Sequence, residues 1–234
     1  MDPMNNNLLT NIIHWLAIIG MPFLLAVFTV RSLIAWNSPG YPGFEYPRIA
    51  PDAYGFTEQE RLELANATLD YLQRPEPADE VIYLLEDLRL PRTERPLYNP
   101  EEIGHMLDVK NIADAFKRVM WLLAVVVIGG LAFLLIRPET RRLGYKTIMH
   151  GGLFTAALLV AIGVLLGVAW NFVFVQFHEL LFPPGTWTFA YTDSLIRLFP
   201  EQFWFDFGVI WVAGILLEGV ILAGIGYWLT RQTS

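Results

Sequence analysis

The chain has 234 residues, 54% hydrophobic and 14% aromatic, with 17% charged residues and a formal net charge of −7. Such apolar weight beside a substantial charged fraction departs from ordinary soluble composition and points to membrane spans plus a water-facing part. The acidic balance without a basic stripe excludes nucleic acid as a partner, and the lack of cysteine excludes disulfides, thiolate metal sites and cysteine nucleophiles.

The first apolar stretch, 8–30, is long enough to cross a hydrocarbon layer of about 30 Å as helix, which takes about 20 residues. The preceding "MDPMNNN" has no basic residue and no small-x-small cleavage pattern precedes Arg31, so this span is expected to stay as an anchor rather than leave as a signal peptide. Stretches 119–136, 152–175 and 208–229 meet the same length criterion. The expected fold is an all-α integral membrane protein, one membrane domain over 1–234 with four transmembrane helices and a helical extracytoplasmic cap.

Two long segments remain, 37–118 and 176–207. The first opens with "SPGYPGFEYPRIAP", whose prolines and glycines predict irregular structure lying on the membrane surface. Thr57 and Glu60 form a capping-box pattern, and Leu62, Ala65, Leu69 and Leu72 follow at helical spacing, with Ala65 the weakest apolar position. A second short helix is expected over "ADEVIYLLEDL".

Residues 98–110 read "YNPEEIGHMLDVK". Asn99 suits an N-cap, Pro100 the first helical position, and Glu101 and Glu102 complement the helix dipole. At about 100° per residue, Glu101, His105 and Asp108 project with Val109, Ile112 and Phe116, while Lys110, Asp114 and Lys117 project oppositely. An inward titratable group must be paired or neutral, and Asp108, three residues on, can orient the imidazole of His105. The plainer reading has Asp108 making a local helix hydrogen bond and His105 a surface contact.

The connection "RPETRRLGYK" sets Arg137, Arg141, Arg142 and Lys146 against Glu139, so the positive-inside tendency puts it, and both termini, in the cytoplasm. His14 and His150 then fall at the inner ends of their spans, and His178 and Glu179 at an outer end. The small-x-x-x-small pattern at Gly163 and Gly167 fits helix packing but is common by chance. Glu218, an ionisable group within the last span, is read as structural.

The two motif-rich pieces, "YNPEEIGHMLDVKNI" and "FHELLFPPGTWTF" with "DSLIRLFPEQFWFD", stand in that order around four spans. In this the sequence resembles the bacterial membrane proteins typified by the lipoprotein intramolecular transacylase. The resemblance implies an enzyme of the inner membrane, with its active face extracytoplasmic. It implies movement of the sn-2 acyl chain of a lipoprotein's diacylglyceryl group to the α-amino group of the same N-terminal cysteine. It carries catalytic roles to His105, Asp108 and His178, and substrate contacts to Tyr98, Trp187, Asp193 and Glu201. The partners implied are the bilayer and a diacylated lipoprotein N-terminus. No cofactor is expected, and the His and carboxylate spacing matches no metal motif.

The chemistry suits these residue types. Aminolysis of an ester needs a neutral amine, for which a histidine base is fitted, and amine and ester already share one molecule, so positioning supplies much of the acceleration. No enzyme nucleophile is needed. Two other readings stay open on sequence: a non-catalytic accessory subunit of a larger membrane complex, and a lipid hydrolase using the same histidines on water.

Overall fold

The computed structural model describes residues 3–36 and 40–233, with side chains from residue 8 in the first stretch. Residues 37–39, where the long outer segment begins, and the first two residues of "MDPMNNN" lie outside the described residues. The protein is an all-α membrane protein. Among the described residues, four helices are long and apolar enough to cross a bilayer: α1 (Pro3–Ile34), α6 (Pro100–Ile136), α7 (Pro138–Leu181) and α9 (Glu201–Gln232). Between them lie α2 (Gly40–Glu45), a 3-10 turn at Tyr46–Arg48, α3 (Glu58–Gln73), α4 (Ala78–Val81), α5 (Tyr83–Glu86) and α8 (Ser194–Leu198).

By contact the chain divides into two compact units: residues 1–30, 116–168 and 209–234, and residues 31–115 and 169–208. In the first unit, glycines let helices approach at backbone distance. A Cβ on Gly152 would lie 2.5 Å from Ala223 N and Gly219 O, and one on Gly219 3.0 Å from Gly152 O. The sequence pattern at Gly163 and Gly167 is less used: Gly163 faces only Val212, and Gly167 meets nothing within 4 Å. Glu218 has its partner in Thr29, whose hydroxyl donates to the carboxylate at 3.2 Å. His14 Nδ1 meets Thr147 Oγ1 at 2.7 Å, and its ring lies 6.1 Å from His150. The outward faces carry Leu122, Val125, Ile128 and Val164, side chains that suit hydrocarbon rather than water.

The second unit is built around aromatic side chains with satisfied polar ends. Tyr41 donates to Phe203 O at 3.0 Å and Tyr46 to Leu198 O at 2.8 Å. The segment expected to be irregular instead forms α2 and the 3-10 turn, and buries Tyr41, Pro42, Glu45 and Tyr46. Gly40, at φ +75°, supplies the entry that a side chain would strain.

Helix α3 starts at the expected box, with Thr57 Oγ1 accepting from Glu60 N and Glu60 returning the bond. Its buried stripe is Arg61, Ala65, Thr68 and Tyr71 rather than the leucines, and Ala65, the weak position in the sequence, is fully buried. Arg61 is tolerated there because Nε donates to Arg197 O at 2.9 Å and Nη1 to Ala50 O at 3.1 Å, with the guanidinium over the Tyr46 ring.

The cytoplasmic loop expected over 137–146 shrinks to Arg137, because Pro138 occupies the first position of α7, where its missing N–H costs nothing. Within α7, Ala169 leaves helical geometry at φ −143°, ψ 41°, marking a kink.

Candidate active site

The candidate site lies within the second unit. Helix α6 opens on a closed hydrogen-bond ring: Glu102 N donates to Asn99 Oδ1 at 2.9 Å and Asn99 N to Glu102 Oε2 at 2.8 Å. This is a capping box with Asn in the cap position. The other oxygen of Glu102 accepts Leu195 N at 2.6 Å. One buried carboxylate therefore fixes both the start of α6 and the first turn of α8.

One turn on, His105 is 7% exposed and its Nδ1 is buried without a hydrogen-bond partner. The expected bond to Asp108 does not form. Asp108 is half-buried along the helix, while the imidazole turns into aromatic rings, with Phe182 at 4.7 Å and Phe189 at 5.4 Å. The face assignment also needs correction, since Glu101 is exposed and Lys110 is fully buried. The Lys110 ammonium donates to Arg74 O at 2.7 Å and to Asp114 at 3.1 Å.

The second histidine comes from the last turn of α7. His178 Nδ1 lies 2.7 Å from Phe174 O, one turn back. A carbonyl only accepts, so Nδ1 carries the hydrogen and Nε2 is left to exchange a proton. The sequence then reverses at Pro183-Pro184-Gly185-Thr186, where Thr186 N donates to Pro183 O and Gly185 sits at φ +84°. Proline followed by a positive-φ glycine makes a type II turn. The reversal brings Trp187 back over His178, ring centroids 4.9 Å apart, and its Nε1 is buried with no partner.

The two imidazoles face each other at 6.5 Å between centroids with 23° between planes, and Phe182 lies against both.

Residues 13–204 match the family model of the lipoprotein intramolecular transacylase. The chain belongs to the lipoprotein intramolecular transacylase family. An uncharacterized protein of Aquifex aeolicus is 30% identical over 186 residues, covering 78% of this chain and 80% of the relative. Among solved structures, the membrane-integral lipoprotein intramolecular transacylase of Bacillus cereus superposes with TM-score 0.69 at 20% identity, over 97% of this chain and 98% of that one. A form of it with a histidine-to-arginine mutation gives TM-score 0.73 at 19% identity, over 98% and 96%. These structural likenesses establish the shared fold. Membership of the transacylase family makes this a multi-pass bacterial membrane protein and an enzyme of the transacylase kind. The comparisons give no support to the accessory-subunit alternative or to a larger complex.

The remaining sequence candidates are dispersed around this centre. Tyr98 is 4% exposed and its hydroxyl meets Thr68 Oγ1 at 2.6 Å, a place inside the unit's core. Asp193 turns back to accept Ala190 N at 2.8 Å at the entry to α8. Glu201 accepts the Trp170 indole at 3.0 Å in an open groove of about 550 Å³ lined also by Tyr191, Ile196, Pro200 and Phe205. Sequence reasoning missed Glu102 as a link and Phe182 and Phe189 as walls. Phe182 had a visible signal, lying one helical turn beyond His178.

Proposed function

We propose that this enzyme moves the sn-2 acyl chain of a diacylglyceryl-modified lipoprotein to the α-amino group of the same N-terminal cysteine, with His105 and His178 as its proton-handling pair. The observation that carries this reading is their 6.5 Å separation in one aromatic-walled site, within reach of a single substrate or one bridging water. His105 takes a proton from the amine as nitrogen attacks the ester carbonyl. His178 receives that proton at Nε2, directly or through one water, and delivers it to the glycerol oxygen as the carbon–oxygen bond breaks, which leaves both imidazoles neutral again.

Lipoprotein amine and ester arrive joined, so holding them in line replaces a covalent enzyme intermediate. The rings of Phe182, Phe189, Phe174 and Trp187 around the imidazoles suit an acyl ester and limit the access of water that would hydrolyse it. The basic residues 137–146 support an orientation with that connection and both termini cytoplasmic and the histidine site extracytoplasmic. Glu201 and its groove are assigned to contacts with the rest of the substrate.

The test uses purified full-length chain with a synthetic diacylated lipopeptide. Intramolecular transfer leaves the total mass unchanged, so the product is read by fragmentation as an N-acyl lyso form. His105→Ala and His178→Ala should each lose at least about 10²-fold in rate, as expected for removal of a general acid or base. Full activity in either variant refutes its role. Release of free fatty acid in place of the N-acyl product identifies a hydrolase.

A further inference from the structure

The aromatic cage contains a polar atom that the proton transfers do not use. Trp187 Nε1–H is buried with no acceptor. An indole nitrogen is only a donor, and leaving such a group buried and unsatisfied is unfavourable, so unsatisfied groups in native proteins are few. The position does not need a donor for packing. The other rings that contact the two imidazoles are Phe174, Phe177, Phe182 and Phe189. Among these described neighbours, Trp187 alone carries a hydrogen-bond donor, and the Pro183–Thr186 turn holds its ring 4.9 Å from His178.

Attack of the amine on the ester moves the carbonyl π electrons onto oxygen, making an anion that the flanking phenylalanine rings cannot hydrogen-bond. His105 Nδ1 and His178 Nε2 are occupied with the amine and glycerol protons. We infer that Trp187 is a catalytic residue whose indole N–H donates a hydrogen bond to the acyl carbonyl oxygen and to the oxyanion it becomes. No proton leaves the indole. The electron pair returns to the carbonyl as the glycerol oxygen departs with the proton from His178. An empty donor in the free enzyme is the expected resting state of such a site, because its acceptor is the substrate.

This rests on the transacylase reading of the two histidines, and the experiment separates the two claims. Trp187→Phe, and replacement of Trp187 by the isosteric benzothienylalanine that lacks the N–H, are assayed beside His105→Ala and His178→Ala on the diacylated lipopeptide in detergent micelles. Both Trp187 replacements should lower kcat by about 10²-fold with KM within about threefold. The unfolding temperature should stay equal or rise, since an unsatisfied donor has been removed. A kcat within threefold of the parent for benzothienylalanine, with both histidine variants inactive, overturns the inference alone. A parallel fall in kcat and unfolding temperature in both replacements also overturns it, in favour of packing. Activity in the histidine variants overturns the underlying reading.

Discussion

The carboxylate of Glu102 and the backbone N–H of Leu195 meet at 2.6 Å across 93 residues of sequence. Through the same side chain the N-terminus of α6, which carries His105, is tied to the segment that follows Trp187. Glu102 is 1% exposed and accepts from two N–H groups at once. A carboxylate that receives backbone N–H bonds at a helix N-terminus is among the stronger capping arrangements.

Glu102→Ala should therefore cost about 2–4 kcal/mol, combining a lost cap with a buried Leu195 N–H left unpaired. Glu102→Gln keeps one accepting oxygen and should cost roughly half as much. Thermal unfolding in detergent measures both. Because the bond links the two segments bearing the site, transacylation should fall in Glu102→Ala even at temperatures where the protein remains folded.

Close approach in the first unit gives a second test. A Cβ on Gly152 would press on the backbone at Ala223 and Gly219, atoms that move only if the helices separate. Gly152→Ala should destabilise by about 1–3 kcal/mol, the usual range for overpacking. Gly167→Ala, in open space, should be neutral or slightly stabilising through helix propensity. Equal unfolding temperatures for the two variants would disprove the distinction.

Glu45 supplies a pH dependence. It is 1% exposed, with Oε1 unpartnered. Burial pushes its carboxyl well above the usual carboxylate range, the hydrogen bond and charge of Asp206 add to this, and Arg48 and Tyr41 oppose it. With the folded-state value raised, the folded protein holds the proton more tightly than the unfolded chain. The stability contribution is thus greatest below the unfolded value of about 4.3 and declines as pH rises towards neutrality. Glu45→Gln should remove that decline, so it should match the parent near pH 4 and unfold at a higher temperature near pH 8. A variant that lost stability equally at both pH values would show that the carboxyl stays ionised.

Much of the fold was legible because its causes are local. Long apolar runs announce spans, Asn99-Pro100 announces a helix start, and Thr57 with Glu60 announces another. Burial of charged groups was not legible, because their partners are distant. Lys110 reads as a solvent-facing residue until Arg74 O, 36 positions earlier, is seen to accept its hydrogen bond. Arg61 likewise depends on carbonyls at Ala50 and Arg197. Both histidines of the site were found by motif. Trp187 was named with them, but Phe182 and Phe189 were not, since the wall they form depends on the Pro183–Thr186 reversal folding the chain back onto residues read as the end of a helix.

Asp108 separates the sequence expectation from the structure most cleanly. If it oriented His105 as the carboxylate of a catalytic triad does, an Asp-to-Asn change would leave the geometry intact and reduce kcat by up to about 10⁴-fold. In the structure, His105 Nδ1 has no partner, Asp108 makes no bond to it, and the imidazole is positioned by Phe182 and Phe189. Asp108→Asn should therefore leave transacylation within about threefold of the parent, while Phe182→Ala, which removes the ring lying against both imidazoles, should reduce kcat by about tenfold or more. Rates on the diacylated lipopeptide decide the matter. A collapse of activity in Asp108→Asn would mean that substrate binding draws the carboxylate onto the base.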